Sequence, residues 1–341
     1  MKISVALCTY NGSRFLREQL DSIASQNRPP DELVICDDRS SDDTVAIARE
    51  FAASAGFAVA VHVNDANLGS TANFAGAIER CTGDIIALSD QDDIWLPQKL
   101  ERIEAEFASE ARVGMVFSNA TVVDEKLVPI GVKLWRETFR PHDQRMFAAG
   151  RATEVLLHYN VVTGATMAIR RSLVPAIMPI PDLTEFIHDG WIALVASLCS
   201  EIRSIRAPLV FYRQHAGQQL GAGLSRWSLP RIERFKMTVE SRGRTVERLG
   251  EFAAAFNDER IAAILSVALT PNIELDREKL MAMIATTRQQ IDGNMTHLRA
   301  RIDLPTARLR RIRGIMSEMR NRRYSFYSRG WQSAFLDLVR K

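Results

Sequence analysis

The chain has 341 residues, 46% hydrophobic and 25% charged, a balance that fits about two globular domains and excludes a disordered or fibrous protein. A formal net charge of +3 is too small to point to nucleic acid, and no 18-residue apolar run exists to span a membrane. The charge is uneven: residues 301–341 hold 11 Lys/Arg against 3 Asp/Glu, leaving the rest of the chain net acidic.

The first hundred residues alternate strand and helix signals. Ile3–Leu7 is a short apolar strand, and Leu16, Leu20 and Ile23 recur at helical spacing after Asn11-Gly12. Leu33–Cys36 reads as a second buried strand ending in Asp37-Asp38, followed by a helix opening at Asp42–Thr44 with Val45, Ala48 and Phe51 on one face. Val59–Val63, Ser70–Arg80 and Ile85–Ser89 continue as strand, helix and strand. Such alternation predicts a mainly parallel sheet flanked by helices, with ligands beyond the carboxyl ends of the strands. From Val113 to Tyr212 strands are expected at Val113–Asn119, Gly164–Ile169 and Leu209–Tyr212, with a helix at Asp189–Cys199. After Gly223 the pattern is helical, including Ile261–Leu269 and Glu278–Ile302. The expected division is 1–225, with halves 1–110 and 111–225, and an all-helical 226–341. Cys8, Cys36, Cys81 and Cys199 are scattered, three of them in or beside apolar runs, and read as buried free thiols of a cytoplasmic protein.

Polar clusters sit at the strand exits. Ser89-Asp90-Gln91-Asp92-Asp93-Ile94-Trp95 places three carboxylates within four residues, where like charges resist ionising together unless a cation or donors sit among them. Oxygen ligands at i and i+2 suit Mg²⁺ or Mn²⁺, which suit a diphosphate; a solvated acidic loop is the plain alternative. Capping explains Ser41 to Thr44 but leaves Asp37 and Asp38, whose carboxylates suit a nucleobase or ribose. Asn67-Leu68-Gly69 offers free N–H groups ahead of a helix.

Taken together, Thr9-Tyr10-Asn11-Gly12, Asp37-Asp38-x-Ser40-x-Asp42-x-Thr44, Asn67-x-Gly69-x-x-x-Asn73-Phe74 and Ser89-Asp90-x-Asp92-Asp93-x-Trp95-x-Pro97-x-Lys99-Leu100 resemble family 2 glycosyltransferases in order and spacing. His188-Asp189-Gly190-Trp191 and Tyr212-Arg213-Gln214-His215 resemble the branch containing bacterial rhamnosyltransferases. The resemblance covers about residues 1–220. It implies a GT-A fold and inverting transfer of a sugar, L-rhamnose by the branch, from a dTDP- or UDP-linked donor to a glycan or polyprenyl-linked acceptor. It also implies that Thr9, Tyr10, Asn11, Asp37, Asp38, Asn67, Gly69, Asn73, Asp90, Gln91 and Arg213 bind the nucleotide sugar. Asp92, with Asp90 and His215, would hold Mg²⁺ or Mn²⁺, and Asp189 would be the catalytic base, here preceded by His188 where many relatives have an acidic residue. Trp95, Thr163, Gly164, His188 and Trp191, with Asn160, fall to the acceptor side.

The residues support that chemistry independently. A departing nucleoside diphosphate develops negative charge that a cation neutralises, and an acceptor hydroxyl needs a carboxylate to take its proton. One base and one metal suit a single in-line displacement. Asp189 is equally suited to cap the helix that follows it, His215 to a solvated loop, and Trp95 to a core. Basic and aromatic residues mix over Arg308–Arg313 and Arg320–Tyr327, compatible with a solvated face, nucleic acid or an anionic membrane surface through 308–341. No aromatic-interleaved nucleic-acid module accompanies them, so no nucleic-acid partner is expected. The competing readings are a sugar nucleotidyltransferase and a non-catalytic sugar-nucleotide-binding protein. The first calls for a Gly-rich basic loop after strand one, of which Thr9–Arg14 is a poor version.

Overall fold

A computed structural model describes residues 1–182, 187–215 and most of 257–268, 277–305 and 308–324, with a few isolated positions elsewhere. It divides into two compact units. Among the described residues the first holds 1–182, 187–215, 260–268 and 277–280, and the second holds 257–259, 281–305, 308–324 and the isolated positions, Ala334, Asp337 and Leu338 among them. The boundary expected at 225/226 lies outside the described residues.

The first unit is built on one nine-stranded sheet. Strands β1 (Ile3–Thr9), β2 (Glu32–Asp37), β3 (Ala58–Val63) and β4 (Ile85–Ser89) pair in parallel in the order β3-β2-β1-β4, joined by helices α1 (Ser13–Ala24), α2 (Thr44–Ser54) and α3 (Ser70–Arg80). β1 and β4 are buried at every residue, as strands covered on both faces must be, which is why their sequences are continuous apolar runs. β3 alternates between exposed and half-buried positions, the pattern of the open edge it forms. Leu16, Leu20 and Ile23 of α1 pack into the core with Leu33, Ile35, Ile85 and Ala87.

The other half of the sheet is mixed. β5 is the two-residue strand Ile94–Trp95, α4 spans Lys99–Ser109, and β6 runs Val113–Val123 with β7 (Pro129–Lys133) antiparallel to it. Helices α5 (Pro141–Ala148) and α6 (Ala152–His158) precede β8 (Met167–Arg170), which lies antiparallel between β4 and β6. After the short helix α7 (Val174–Ile177), α8 (His188–Cys199) leads through one residue into β9 (Glu201–Arg213). β9 runs parallel to β6 and antiparallel to β5.

Three sequence expectations need correction. The strand expected at Gly164–Ile169 begins as a 3₁₀ turn at Gly164–Thr166, because the Thr166 N–H and hydroxyl both donate to the Thr163 carbonyl and curl the backbone. The strand expected at Leu209–Tyr212 is 13 residues long; its first half, Glu201–Ala207, is charged and half-exposed and hides the strand signal. β6 extends four residues beyond Asn119. The four cysteines are free and buried.

Beyond these, α9 (Asp258–Ala268), α10 (Arg277–Ile302) and α11 (Arg308–Arg320) are helical, in line with the periodicity. Within the second unit Leu304, Ile315, Tyr324 and Ala334 form a small core, with partly buried Met319 and Leu338 against it. A polar network lies beside it: the His297 ring meets Glu318 at 2.7 Å and Arg301 Nε donates to Asp337 at 2.6 Å. No described helix is long and apolar enough to cross a membrane.

Candidate active site

The carboxyl ends of β1, β2 and β4 converge, since Thr9 is in register with Asp37 and Leu7 with Ser89. Thr9 Oγ1 donates to Asp37 Oδ2 at 2.7 Å, and the Ser40 backbone N–H and hydroxyl donate to the two Asp37 oxygens at 2.8 and 2.6 Å. Asp38 accepts from Asn64 Nδ2 (3.0 Å) and the Leu68 and Gly69 N–H groups (2.7 and 2.8 Å). Asn73 donates to the Cys36 carbonyl at 2.9 Å and accepts from Asn64. Asp37, Asp38 and Asn73 are thus buried, and their side chains are engaged by the chain's own groups. These bonds tie together the loops that frame the site, with Gly69 at φ 82 at the start of α3.

Gln91 has a similar task. It accepts from the Tyr10 N–H at 2.8 Å and donates to the Tyr10 carbonyl at 3.0 Å, clamping the loop after β1 to the loop after β4. Gly12 makes this possible, because a Cβ there would lie 2.1 Å from Gln91 Oε1. Asn11, at φ 47, accepts from the Ser41 N–H at 2.9 Å. The Tyr10 ring and Asn67 are exposed.

The acidic run splits into distinct environments. Asp93 is fully buried; one oxygen accepts from the Arg213 N–H at 3.0 Å, the other has no partner, and burial with neighbouring Asp92 and Asp90 pushes its pKa far up. Lys99, also fully buried, stands 3.5 Å over the Trp95 ring and donates to the Ala165 carbonyl at 2.7 Å. Burial lowers its pKa, and the neighbouring Asp93 and Asp90 oppose that shift. Burial, Asp92 and Asp189 raise Asp90 to about 7. Asp92 turns the other way, its Oδ2 lying 2.7 Å from His215 Nε2.

His215 reaches Asp92 because Arg213, two residues earlier, locks the end of β9. The Arg213 guanidinium donates to the Asp92 carbonyl (2.7 Å), the Glu125 carbonyl (2.6 Å) and Glu18 (2.5 Å), and lies over Phe15. Its side chain is 1% exposed, and these bonds anchor the end of β9.

Asp189 lies in the first turn of α8. It accepts from Asn160 Nδ2 (2.9 Å), its neighbour Gly190 N–H (2.6 Å) and the Gly164 N–H (3.2 Å), while burial lifts its pKa to about 6. The three donors favour the carboxylate form, but desolvation outweighs them. The Asp189 charge is in turn felt by Asp90. His188 stacks on Phe74 of α3 at 4.1 Å, and neither of its buried ring nitrogens has a partner. Burial pushes its pKa down to about 3, so it is neutral at physiological pH. A Cβ on Gly164 would stand 3.1 Å from His188 Nε2, so the glycine lets helix and turn approach.

Gln91 ties Tyr10 to the acidic run, and Asn160 and Gly164 hold Asp189. Asp90 feels the charges of Asp92 and Asp189, and Asp92 meets His215, so these four residues share one electrostatic site. Trp95 and Trp191 do not join it: they are 2% and 0% exposed and pack into the core, and the Trp191 indole donates to the Ile177 carbonyl at 2.9 Å. Lys99 and Gly12 were missed as contributors, although Lys99 stands in the quoted motif and Gly12 ends the first strand-exit cluster.

Among the described residues no three His, Cys, Asp or Glu side chains converge as a closed metal site, so Asp90, Asp92 and His215 are not a preformed triad. Asp92 and His215 nevertheless suit a divalent cation. A carboxylate oxygen and an imidazole nitrogen are both ligand types for such a cation, and a 2.7 Å hydrogen bond brings the two side chains together here. A cavity of about 490 Å³ lined by Met1, Asp84, Arg170 and Arg171 contains none of these residues.

Comparison with known proteins agrees with this architecture. A crystal structure of S. aureus TarS (residues 1–349) in complex with UDP-GlcNAc superposes with a TM-score of 0.54 over 94% of this chain and 92% of that one, at 16% identity. An uncharacterised glycosyltransferase of Nostoc sp. is 27% identical over 63% of this chain and 65% of its own length. The match thus spans just under two thirds of that relative. The dTDP-rhamnosyl transferase RfbG of Shigella flexneri is 27% identical over 64% of this chain and 75% of that protein. The fold is of the GT-A glycosyltransferase class. The sequence profile described as "Glycosyl transferase family 2" matches residues 4–177, just over half the chain, and the protein belongs to that family.

Proposed function

We propose that this chain is an inverting, metal-dependent glycosyltransferase that moves L-rhamnose from a dTDP- or UDP-linked donor to a hydroxyl of a glycan or lipid-linked acceptor, in cell-surface polysaccharide synthesis. The observation that carries the reading is Asp189: a buried carboxylate, held by three donors, with its pKa raised to about 6 beside the acidic cluster. A base of that strength is ionised at neutral pH yet basic enough to accept a hydroxyl proton as the oxygen attacks. Asn160 and the Gly164 N–H fix its orientation, and neutral His188 cannot compete for the proton.

On the donor side, Tyr10, Asn11 and Asn67 line the nucleoside and Asp90 faces the ribose. Mg²⁺ or Mn²⁺ between Asp92 and His215 would supply positive charge to the leaving diphosphate. One base and one cation suit a single in-line displacement: the acceptor oxygen bonds the anomeric carbon as the bond to the diphosphate breaks, which inverts that centre. No second nucleophilic carboxylate is required. Rhamnose rests on the His188–Trp191 and Tyr212–His215 motifs and on the name of the Shigella relative.

The test is a donor panel in two formats. Mn²⁺-dependent thermal stabilisation by dTDP or UDP identifies the nucleotide, because a ligand that binds only the native state raises stability in proportion to its affinity. Turnover of dTDP-rhamnose above UDP-glucose and UDP-GlcNAc supports the sugar assignment. No stabilisation by any nucleoside diphosphate, with or without metal, refutes the proposal.

A further inference from the structure

One face of α11 stands outside the chemistry described so far. Arg311, Ile315 and Glu318 turn inward: Arg311 donates to the Pro305 carbonyl at 2.6 Å, Ile315 joins the small core, and Glu318 meets His297 and Arg323. Gly314 brings the helix close, since a Cβ there would lie 2.6 Å from Leu304 Cδ2. With about 100° between successive residues, Arg313, Met316 and Arg320 cluster within about 60° on the opposite side. Ile312 and Arg310 flank them.

That outer face has an uncommon make-up. Met316 is 62% exposed and Ile312 45%, among the most exposed large apolar side chains of the described residues. Arg310, Arg313 and Arg320 are exposed around them, and Arg322 extends the basic surface beyond the helix. The only acidic residue of the helix, Glu318, is buried and engaged inside. The nearest exposed carboxylate in sequence is Asp303, before the helix. Every exposed charge on α11 is positive, and the apolar side chains project from among them.

We infer that this face docks on an anionic lipid bilayer, with Met316 and Ile312 entering the headgroup boundary and Arg310, Arg313, Arg320 and Arg322 lying against lipid phosphates. Charge complementarity points to an anionic partner. The two exposed apolar side chains favour a bilayer over nucleic acid, because only the bilayer offers an apolar layer beneath its charge. The inference is independent of the sugar and the base assigned above.

The experiment is co-sedimentation of the full chain with vesicles of pure phosphatidylcholine, or of equal parts phosphatidylcholine and phosphatidylglycerol, at near-physiological and at high ionic strength. The parent is expected to bind the mixed vesicles, to leave them at high salt and to ignore the neutral ones. Each arginine contributes about a fivefold factor in partitioning, so R310Q/R313Q/R320Q should weaken binding about a hundredfold. I312S/M316S should weaken it at unchanged charge. Both variants change only exposed side chains, so their circular dichroism and nucleotide-induced thermal shift should match the parent. Equal binding to both vesicle types, retained binding by the triple arginine variant, or binding to a short RNA duplex but not to vesicles would each overturn the inference.

Discussion

Replacing Asp189 by asparagine separates the charge of the proposed base from its shape. Burial lifts the Asp189 carboxyl from 3.8 to about 6 in the folded protein. An acid whose pKa is raised by folding favours the folded state while protonated, and that advantage disappears as pH rises from the unfolded value through the folded one. The gap amounts to about 3 kcal/mol, about half of it lost between about pH 5 and pH 7.5. Asparagine carries no charge and escapes this loss. Its amide nitrogen, however, must replace an oxygen that now accepts from Gly164, or from Asn160 and Gly190, a mismatch of about 1–2 kcal/mol at every pH. The variant is therefore expected to be more stable than the parent by about 1–2 kcal/mol near pH 7.5 and less stable near pH 4. Transfer should fall by about two to four orders of magnitude while nucleotide binding persists. Urea unfolding across a pH series, beside initial rates, reads both quantities. A stability difference that does not vary with pH, or a parent kcat/KM with no acid limb near pH 6, would refute the reasoning.

Gly12→Ala should expel Gln91 and lose its two bonds to Tyr10, costing about 1–3 kcal/mol and weakening donor binding. In a Gln91→Ala background the same change should cost much less, a coupling that a double-mutant cycle measures. His215→Ala should remove the Mn²⁺-dependent part of the thermal shift given by a nucleoside diphosphate and leave the metal-free part; an undiminished Mn²⁺ effect would remove His215 from the metal site. Trp95→Ala should lower stability by about 3–5 kcal/mol through a core cavity, with the acceptor KM of the folded protein unchanged. A raised KM at unchanged stability would restore Trp95 to the acceptor site.

The parallel half of the fold was legible because its strands are covered on both faces and must be written in apolar residues, as in Ile3–Leu7 and Ile85–Leu88. β5 and the first half of β9 were not, since a two-residue strand has no period and a charged, half-exposed segment does not announce its pairing. The acidic positions were legible as a group but not by role. A carboxylate that receives donors from its own chain, as Asp37 and Asp38 do, is written with the same letter as one that waits for a ligand. What separates them is the placement of Ser40, Asn64 and Gly69, which folding supplies. Trp95 and Trp191 were ambiguous for the same reason: an aromatic beside a site residue faces core or ligand according to the turn between them, and both are buried here.

Asp189 and His215 belong to one continuous out-and-back excursion, α8 followed by β9, with Ser200 alone at the reversal. Gly114 of β6 leaves room for that reversal, since a Cβ there would lie 2.2 Å from Ser200 Oγ. Sequence length is therefore a constrained quantity between these two positions. Dropping one residue from the second half of β9 would turn its later side chains to the opposite face of the sheet, bringing Arg213 out of its buried anchor and His215 away from Asp92. The pairing of β6 with β9 already takes up irregularity earlier, with register shifts on either side of Asn119. Insertions and deletions among relatives that keep both functions should accordingly gather at or before that point, and Val210–Arg213 should retain its spacing to His215.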